Sequence, residues 1–145
     1  MTKVDFYILT SDSDTERLNF CCRLLDKAVR QGNRILVRTR SEQESIELDQ
    51  RLWDFRPESY IPHAVIHSAT ETSDMPLVIS HHYQSDQHHD VLVNLNDQLP
   101  DHFAHYKRLA QIVDQQTQRL QQSRQHYSFF KERGYPISVN QIGKK

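Results

Sequence analysis

Glycine is scarce in this chain, with only Gly32, Gly134 and Gly143 among 145 residues. Phosphate-cradling loops need glycines so that backbone amides can approach the anion. The turn after the first apolar run is instead Thr-Ser-Asp-Ser-Asp at residues 10–14. Neither a P-loop nor a dinucleotide fingerprint is present. Cysteine is scarcer still: Cys21 and Cys22 are adjacent, which makes neither a disulfide framework nor a zinc site and suits a reducing, cytoplasmic setting. No apolar run approaches the roughly 20 residues of a membrane span, so no membrane is expected among the partners. The opening Met-Thr-Lys-Val-Asp does not read as a signal peptide, because an acid interrupts it at once. A Gly-x-Ser-x-Gly nucleophile elbow is also missing. No catalytic residue and no cofactor stand out.

What is there suits one domain with one core. The composition is lean, 37% hydrophobic with a mean hydropathy of -0.75. A net charge of -1 hides an asymmetry. Residues 1–105 carry 10 Lys and Arg against 17 Asp and Glu, a balance of -7; residues 106–145 carry 8 against 2, a balance of +6. The chain as a whole should not hold nucleic acid by bulk charge, but its C-terminal part should attract an acidic partner.

Apolar periodicity gives the elements. Residues 4–9 form a strand-length run. Ser13 to Glu16 then reads as a capping box, followed by one helical face of Leu18, Cys21, Cys22, Leu25, Ala28 and Val29 with Gly32 as C-terminal cap. Residues 34–38 read as a second strand, and Ser41 to Glu44 caps a second helix reaching about Trp53. A strand–helix–strand–helix order with short turns implies a parallel crossover unit. Residues 56–63 read as a proline-stiffened loop, 77–79 as a short strand, 83–90 as a His-rich loop and 91–95 as a buried strand. A brief helical turn begins at residues 99–102. Residues 106–113 fit strand or helix equally. A helix is expected from Asp114 to Gly134, and residues 136–145 as a C-terminal tail. The expectation is a single α/β domain over residues 1–145, with a mostly parallel central sheet flanked by helices: Rossmann-like, without a nucleotide-binding loop.

Four constellations carry chemistry. Asp12, Asp14 and Asp97 would meet at the carboxyl edge of a parallel sheet, as a Mg²⁺-dependent phosphotransferase or nuclease requires; the plainer reading gives Asp12 and Asp14 to the turn and helix N-terminus. His81-His82 and His88-His89 lack the cysteines or helical spacing of a dedicated metal site and read as a solvated loop. Around the loop, Trp53, Phe55, Tyr60 and Ile61 beside Pro57 and Pro62 suit interface anchors, or cap the domain's own core. Finally, Val113, Thr117, Leu120, Arg124, Tyr127 and Lys131 fall on one helical stripe that turns basic and aromatic. With Arg119 near it, that stripe suits an acidic peptide ending in an apolar residue and a carboxylate. Direct single-strand DNA binding by the same basic part is opposed by the acidic first 105 residues.

Several blocks together resemble the chi subunit of bacterial DNA polymerase III, a clamp-loader accessory family. They are Val4-Asp-Phe-Tyr-Ile-Leu9, Leu52-Trp53, Glu58-Ser-Tyr-Ile-Pro-His63, Asp90-Val-Leu-Val-Asn-Leu95 and Arg124-x-x-Tyr127 running into Lys131-Glu-Arg-Gly-Tyr135. The resemblance implies a non-catalytic adaptor between the psi subunit, in a 1:1 heterodimer, and the acidic tail of single-stranded-DNA-binding protein, with DNA reached mainly indirectly. It implies that Arg124 and Tyr127 hold the tail against Val113, and that Trp53, Tyr60, Ile61 and Pro62 face psi. Where the family has a tail-binding lysine one turn before the arginine, this chain has Leu120, with Arg119 as the substitute cation.

Overall fold

Ser13 and Ser41 do the work their positions imply: each accepts a hydrogen bond from a backbone amide three residues on, Glu16 N–H at 3.3 Å and Glu44 N–H at 3.1 Å. In the computed structural model, which describes residues 1–55, 61–67, 73–82 and 88–142, the two serines open helices α1 (Asp14–Arg30) and α2 (Glu42–Asp54). Gly32 follows α1 at a φ of 86°, a left-handed conformation that only glycine adopts without strain.

The strands are β1 (Lys3–Leu9), β2 (Ile35–Arg38), β3 (His63–Val65), β4 (Leu77–Ser80), β5 (Val91–Asn94), β6 (Arg108–Val113) and β7 (Ile137–Ile142). They form one seven-stranded sheet in the order β3-β4-β2-β5-β6-β1-β7, and every neighbouring pair is parallel. A 3-10 turn, Phe103–His105, precedes β6, and helix α3 (Thr117–Glu132) joins β6 to β7. The expected α/β, Rossmann-like fold is present.

Alternating side chains split the core between the two faces of the sheet. Ile35 and Val37 pack with Leu18, Cys21, Cys22, Leu25, Leu48 and Leu52 beneath α1 and α2. Leu36, Val4, Phe6 and Val113 pack with Phe103 and Phe130 beneath α3. The second face is interrupted by a polar ladder: Asn94 Nδ2 donates to Gln111 Oε1 at 2.8 Å, and Gln111 Nε2 lies 3.1 Å from His126 Nδ1. α3 therefore rests on the sheet partly through hydrogen bonds, which is why its sequence shows so little apolar periodicity.

Four expectations change. Residues 137–142 are no tail: they form β7, paired with β1 from Val4↔Ile137 to Leu9↔Ile142. The ambiguous stretch is strand β6, so Val113 is its last residue and not the start of a helical stripe. Asp114 does not begin α3 either; it is buried in the connection, accepting from Gln116 N–H at 3.3 Å, and Gln116 is the N-cap. His63–Val65, placed in a loop by its prolines, is the edge strand β3. Tyr60 and the centre of the His-rich loop lie outside the described residues.

Candidate functional site: the exposed flank of helix α3

α3 lays Ser123, His126, Phe129 and Phe130 towards the sheet, with Phe130 wholly buried. Leu120, Arg124, Tyr127 and Lys131 run beside that stripe on the helix's flank, as their i, i+4, i+7, i+11 spacing requires. Leu120 is partly buried, while Arg124, Tyr127 and Lys131 are exposed. The Tyr127 ring is 38% exposed and its inner face lies against Phe6 of β1, with centroids 5.7 Å apart. Phe6 pairs in register with Val139 of β7, so both project towards α3. Val139 is 49% exposed. Tyr127 and Val139 thus both expose apolar surface next to the buried Phe6, which the tyrosine ring contacts and which pairs with Val139, and Arg124 lies one turn along the helix. Val113 lies in register with Ile8 at the carboxyl end of β6, buried near the N-terminal half of α3. Sequence reasoning missed Phe6 and Val139; the alternation of apolar Ile137 and Val139 with polar Ser138 and Asn140 is the signal for β7.

The two arginines differ in kind. Arg119 is 11% exposed and bridges Asp14 at 2.8 Å and Asp114 at 2.7 Å. Its hydrogen bond holds the Asp14 carboxyl below the usual range, and together with Asp114 the pair holds Arg119 above the usual guanidinium range despite burial. Arg119 ties α3 to the start of α1 and is not free to meet a ligand. Arg124 makes no ion pair among the described residues, so its guanidinium is available.

The second expected patch lies at the opposite edge of the sheet. Trp53, near the end of α2, is 54% exposed, with its ring 5.0 Å from that of His63 on β3. His63 is itself fixed by Asp49 at 2.9 Å. Pro62 is partly exposed, whereas Ile61 is buried in the core and supports this surface from beneath.

Asp12, Asp14 and Asp97 are not gathered into a metal site: no group of three or more such ligands able to hold an ion occurs among the described residues. Asp14 is engaged by Arg119 instead. A cleft of about 800 Å³ opens at the carboxyl ends of β1 and β7, lined by Phe20, Arg23, Arg51 and Phe55 but also by Glu16 and Asp54. The loop beside it turns its hydrogen bonds inward, Ser13 N–H donating to Ser11 Oγ at 2.9 Å and Gln115 N–H to the Ser11 carbonyl at 2.8 Å.

Over residues 1–138 the sequence matches the family described as DNA polymerase III chi subunit, HolC. It is similar to the DNA polymerase III subunit chi of Pseudomonas aeruginosa, 34% identical over 142 residues, which cover 98% of this chain and 98% of that protein. The subunit chi of Haemophilus influenzae is 28% identical over 139 residues, 95% of this chain and 96% of the relative. That of Escherichia coli is 21% identical over 143 residues, 96% and 97% respectively.

Proposed function

This chain belongs to the DNA polymerase III chi-subunit family, and so to the accessory subunits of DNA replication; on that premise we propose that it is a non-catalytic, cytoplasmic adaptor with two docking sites. The flank of α3 takes the acidic C-terminal tail of single-stranded-DNA-binding protein. The surface around Trp53 and Pro62, underpinned by Ile61, takes psi in a 1:1 heterodimer, with Tyr60 as a further contact expected from the sequence, and DNA is reached indirectly.

The observation that carries this reading is the placement of Arg124 and Tyr127: an exposed guanidinium with no ion pair among the described residues, one turn from a partly exposed tyrosine, in the part of the chain whose balance is +6. A carboxylate-ended peptide with a terminal apolar ring matches both halves of that site. Val113 and Leu120 form its apolar base, and Arg119 acts as a positioning residue that holds the N-terminal end of α3. With Leu120 in place of a lysine, the site has one cation fewer for the tail. Trp53 and β3 lie at the other edge of the sheet from α3 and β7, so two partners fit without competing.

Fluorescence anisotropy with a labelled acidic peptide ending in a free Phe tests the first site. Affinity should fall as salt rises, because part of the attraction is between exposed charges. Equal binding of a peptide lacking the terminal Phe would refute the assignment. For the second site, Trp53→Ala should abolish co-purification with psi while peptide affinity is unchanged; retention of psi by this variant would move that interface elsewhere.

A further inference from the structure

The sheet ends at β7, and no described residue pairs with its outer edge. Which of its backbone groups face outward follows from the register. Val4 N–H donates to the Pro136 carbonyl at 2.9 Å, and Lys3 N–H to the Lys107 carbonyl at 3.0 Å. In a parallel ladder a residue turns both its amide and its carbonyl to the same neighbour. The even residues of β1 therefore bond to β7 and the odd ones to β6. On β7, Ser138, Asn140 and Ile142 bond to β1, leaving the amides and carbonyls of Ile137, Val139 and Gln141 pointing away from the sheet.

This edge lacks the usual protections. Native edge strands are kept from pairing by charge, internal proline, bulges or shortness. The opposite edge, β3, is three residues long. β7 is six residues long, reads Ile-Ser-Val-Asn-Gln-Ile without a charge or proline, and keeps register with β1 throughout. Its outward-pointing residues put their side chains on the α3 face, where Val139 and Tyr127 are both partly exposed and both adjoin Phe6. The charge nearby selects the occupant. Arg124 and Lys131 are exposed on the neighbouring flank of α3, so an acidic strand is attracted, whereas a second copy would bring the same positive segment against itself.

We propose that β7 is an acceptor edge on which an acidic, extended peptide adds as an eighth strand, its backbone paired with Ile137, Val139 and Gln141. This rests on the reading of α3 given above and extends it: the flank of α3 holds the peptide's terminus, and β7 holds the residues before it. Main-chain pairing supplies affinity that does not depend on the peptide's side chains, and Arg124 with the exposed apolar surface of Tyr127 and Val139 supplies selectivity.

Amide exchange of the full-length protein, followed by NMR with and without the Phe-terminated acidic peptide, tests this directly. The amides of Ile137, Val139 and Gln141 should slow by at least about tenfold more than those of Ser138, Asn140 and Ile142, which are already bonded. Gln141→Pro removes an outward amide and places a ring in the path of an added strand without breaking a bond to β1. It should weaken the peptide at least about tenfold, while Gln141→Ala stays within about twofold. If the peptide binds in an Arg124-dependent way but the outward amides exchange as before, strand addition is overturned and the α3 site stands. If the wild-type protein binds no such peptide, both fall. Self-association in sedimentation velocity that Gln141→Pro abolishes would assign the edge to a second copy and overturn the proposal. Should Gln141→Pro fail to fold by circular dichroism, the exchange pattern of the wild type decides alone.

Discussion

Arg119 and Arg124 sit five positions apart on α3, and their surroundings give them opposite tasks. Arg119 neutralises Asp114, which is wholly buried, and reaches across to Asp14 on α1. Removing it strands a buried carboxylate. Breaking a fully buried pair costs about 3–5 kcal/mol, and because this guanidinium is near the surface Arg119→Ala belongs at the low end, about 3 kcal/mol, read by denaturant unfolding. Arg124 pairs with no carboxylate among the described residues, so Arg124→Ala should leave stability within about 0.5 kcal/mol. Peptide binding should instead weaken by about 1–3 kcal/mol, the cost of losing a charged hydrogen-bonding partner. The reverse pattern, with Arg124→Ala unstable and Arg119→Ala unaffected, would exchange their roles. Sequence alone put both residues in one site, since charge and helical spacing do not reveal that Asp14, more than a hundred residues earlier, folds back onto Arg119. A similar split separates Trp53 from Ile61: a window without period cannot tell the exposed ring from the core side chain beneath it.

At the scale of elements, legibility followed the strength of local signals. The two capped helices, β1, β2 and β5 were readable because capping serines and unbroken apolar runs are local features. β3 was hidden by its three-residue length and flanking prolines, and β7 by following a glycine and a proline that usually end structure. The existence of α3 was readable but its inward face was not, since that face includes His126 and Ser123 and bonds to Gln111 across a polar ladder. The candidate site inherits the same limit: the helix half, Arg124 and Tyr127, could be read, whereas Phe6 and Val139 come from strands whose pairing is not local. Docking of α3 consequently depends on few apolar anchors. Phe130 is the one wholly buried side chain of the helix and meets Phe103, Phe129 and Tyr135 with centroids 5.3, 5.4 and 5.6 Å away. Phe130→Ala should cost about 3–5 kcal/mol, as for other buried aromatics, and should weaken the peptide as well, because Tyr127 is three residues before it on the same helix. Loss of stability with peptide affinity unchanged would show that the flank of α3 is not the binding surface.

At the scale of the whole molecule, titration ties stability to pH, and the sign can be worked out. Burial holds His88, His102 and His126 each below the ordinary imidazole range. His88 lies wholly inside, within hydrogen-bonding reach of the Met75 carbonyl, and His126 faces the Gln111 amide in the ladder under α3. In the unfolded chain a histidine takes up its proton near pH ~6.5. In the folded chain these three accept one only at lower pH, so within that window the unfolded state binds more protons. Stability then falls as pH falls. The contribution of the neutral imidazoles is fully present above about pH 6.5 and is lost as the solution is acidified through their lowered folded-state values. A second loss comes lower. Asp14, hydrogen-bonded to Arg119, and Asp90, bonded by the Arg34 backbone amide and by Lys107, are both held below the usual carboxylate range. Their contribution persists until the pH drops below the ordinary aspartate value of about 3.9. Melting temperatures at constant ionic strength should therefore be level from about pH 8 to pH 7, begin to decline below about pH 6.5, and fall further once the pH drops below about 3.9. His126→Gln keeps an amide partner for Gln111 and should make the first decline shallower. A melting temperature that stays level from about pH 8 to pH 5, in the wild type and the variant alike, would show that these imidazoles pass their protons freely to solvent and that the polar ladder under α3 opens without cost.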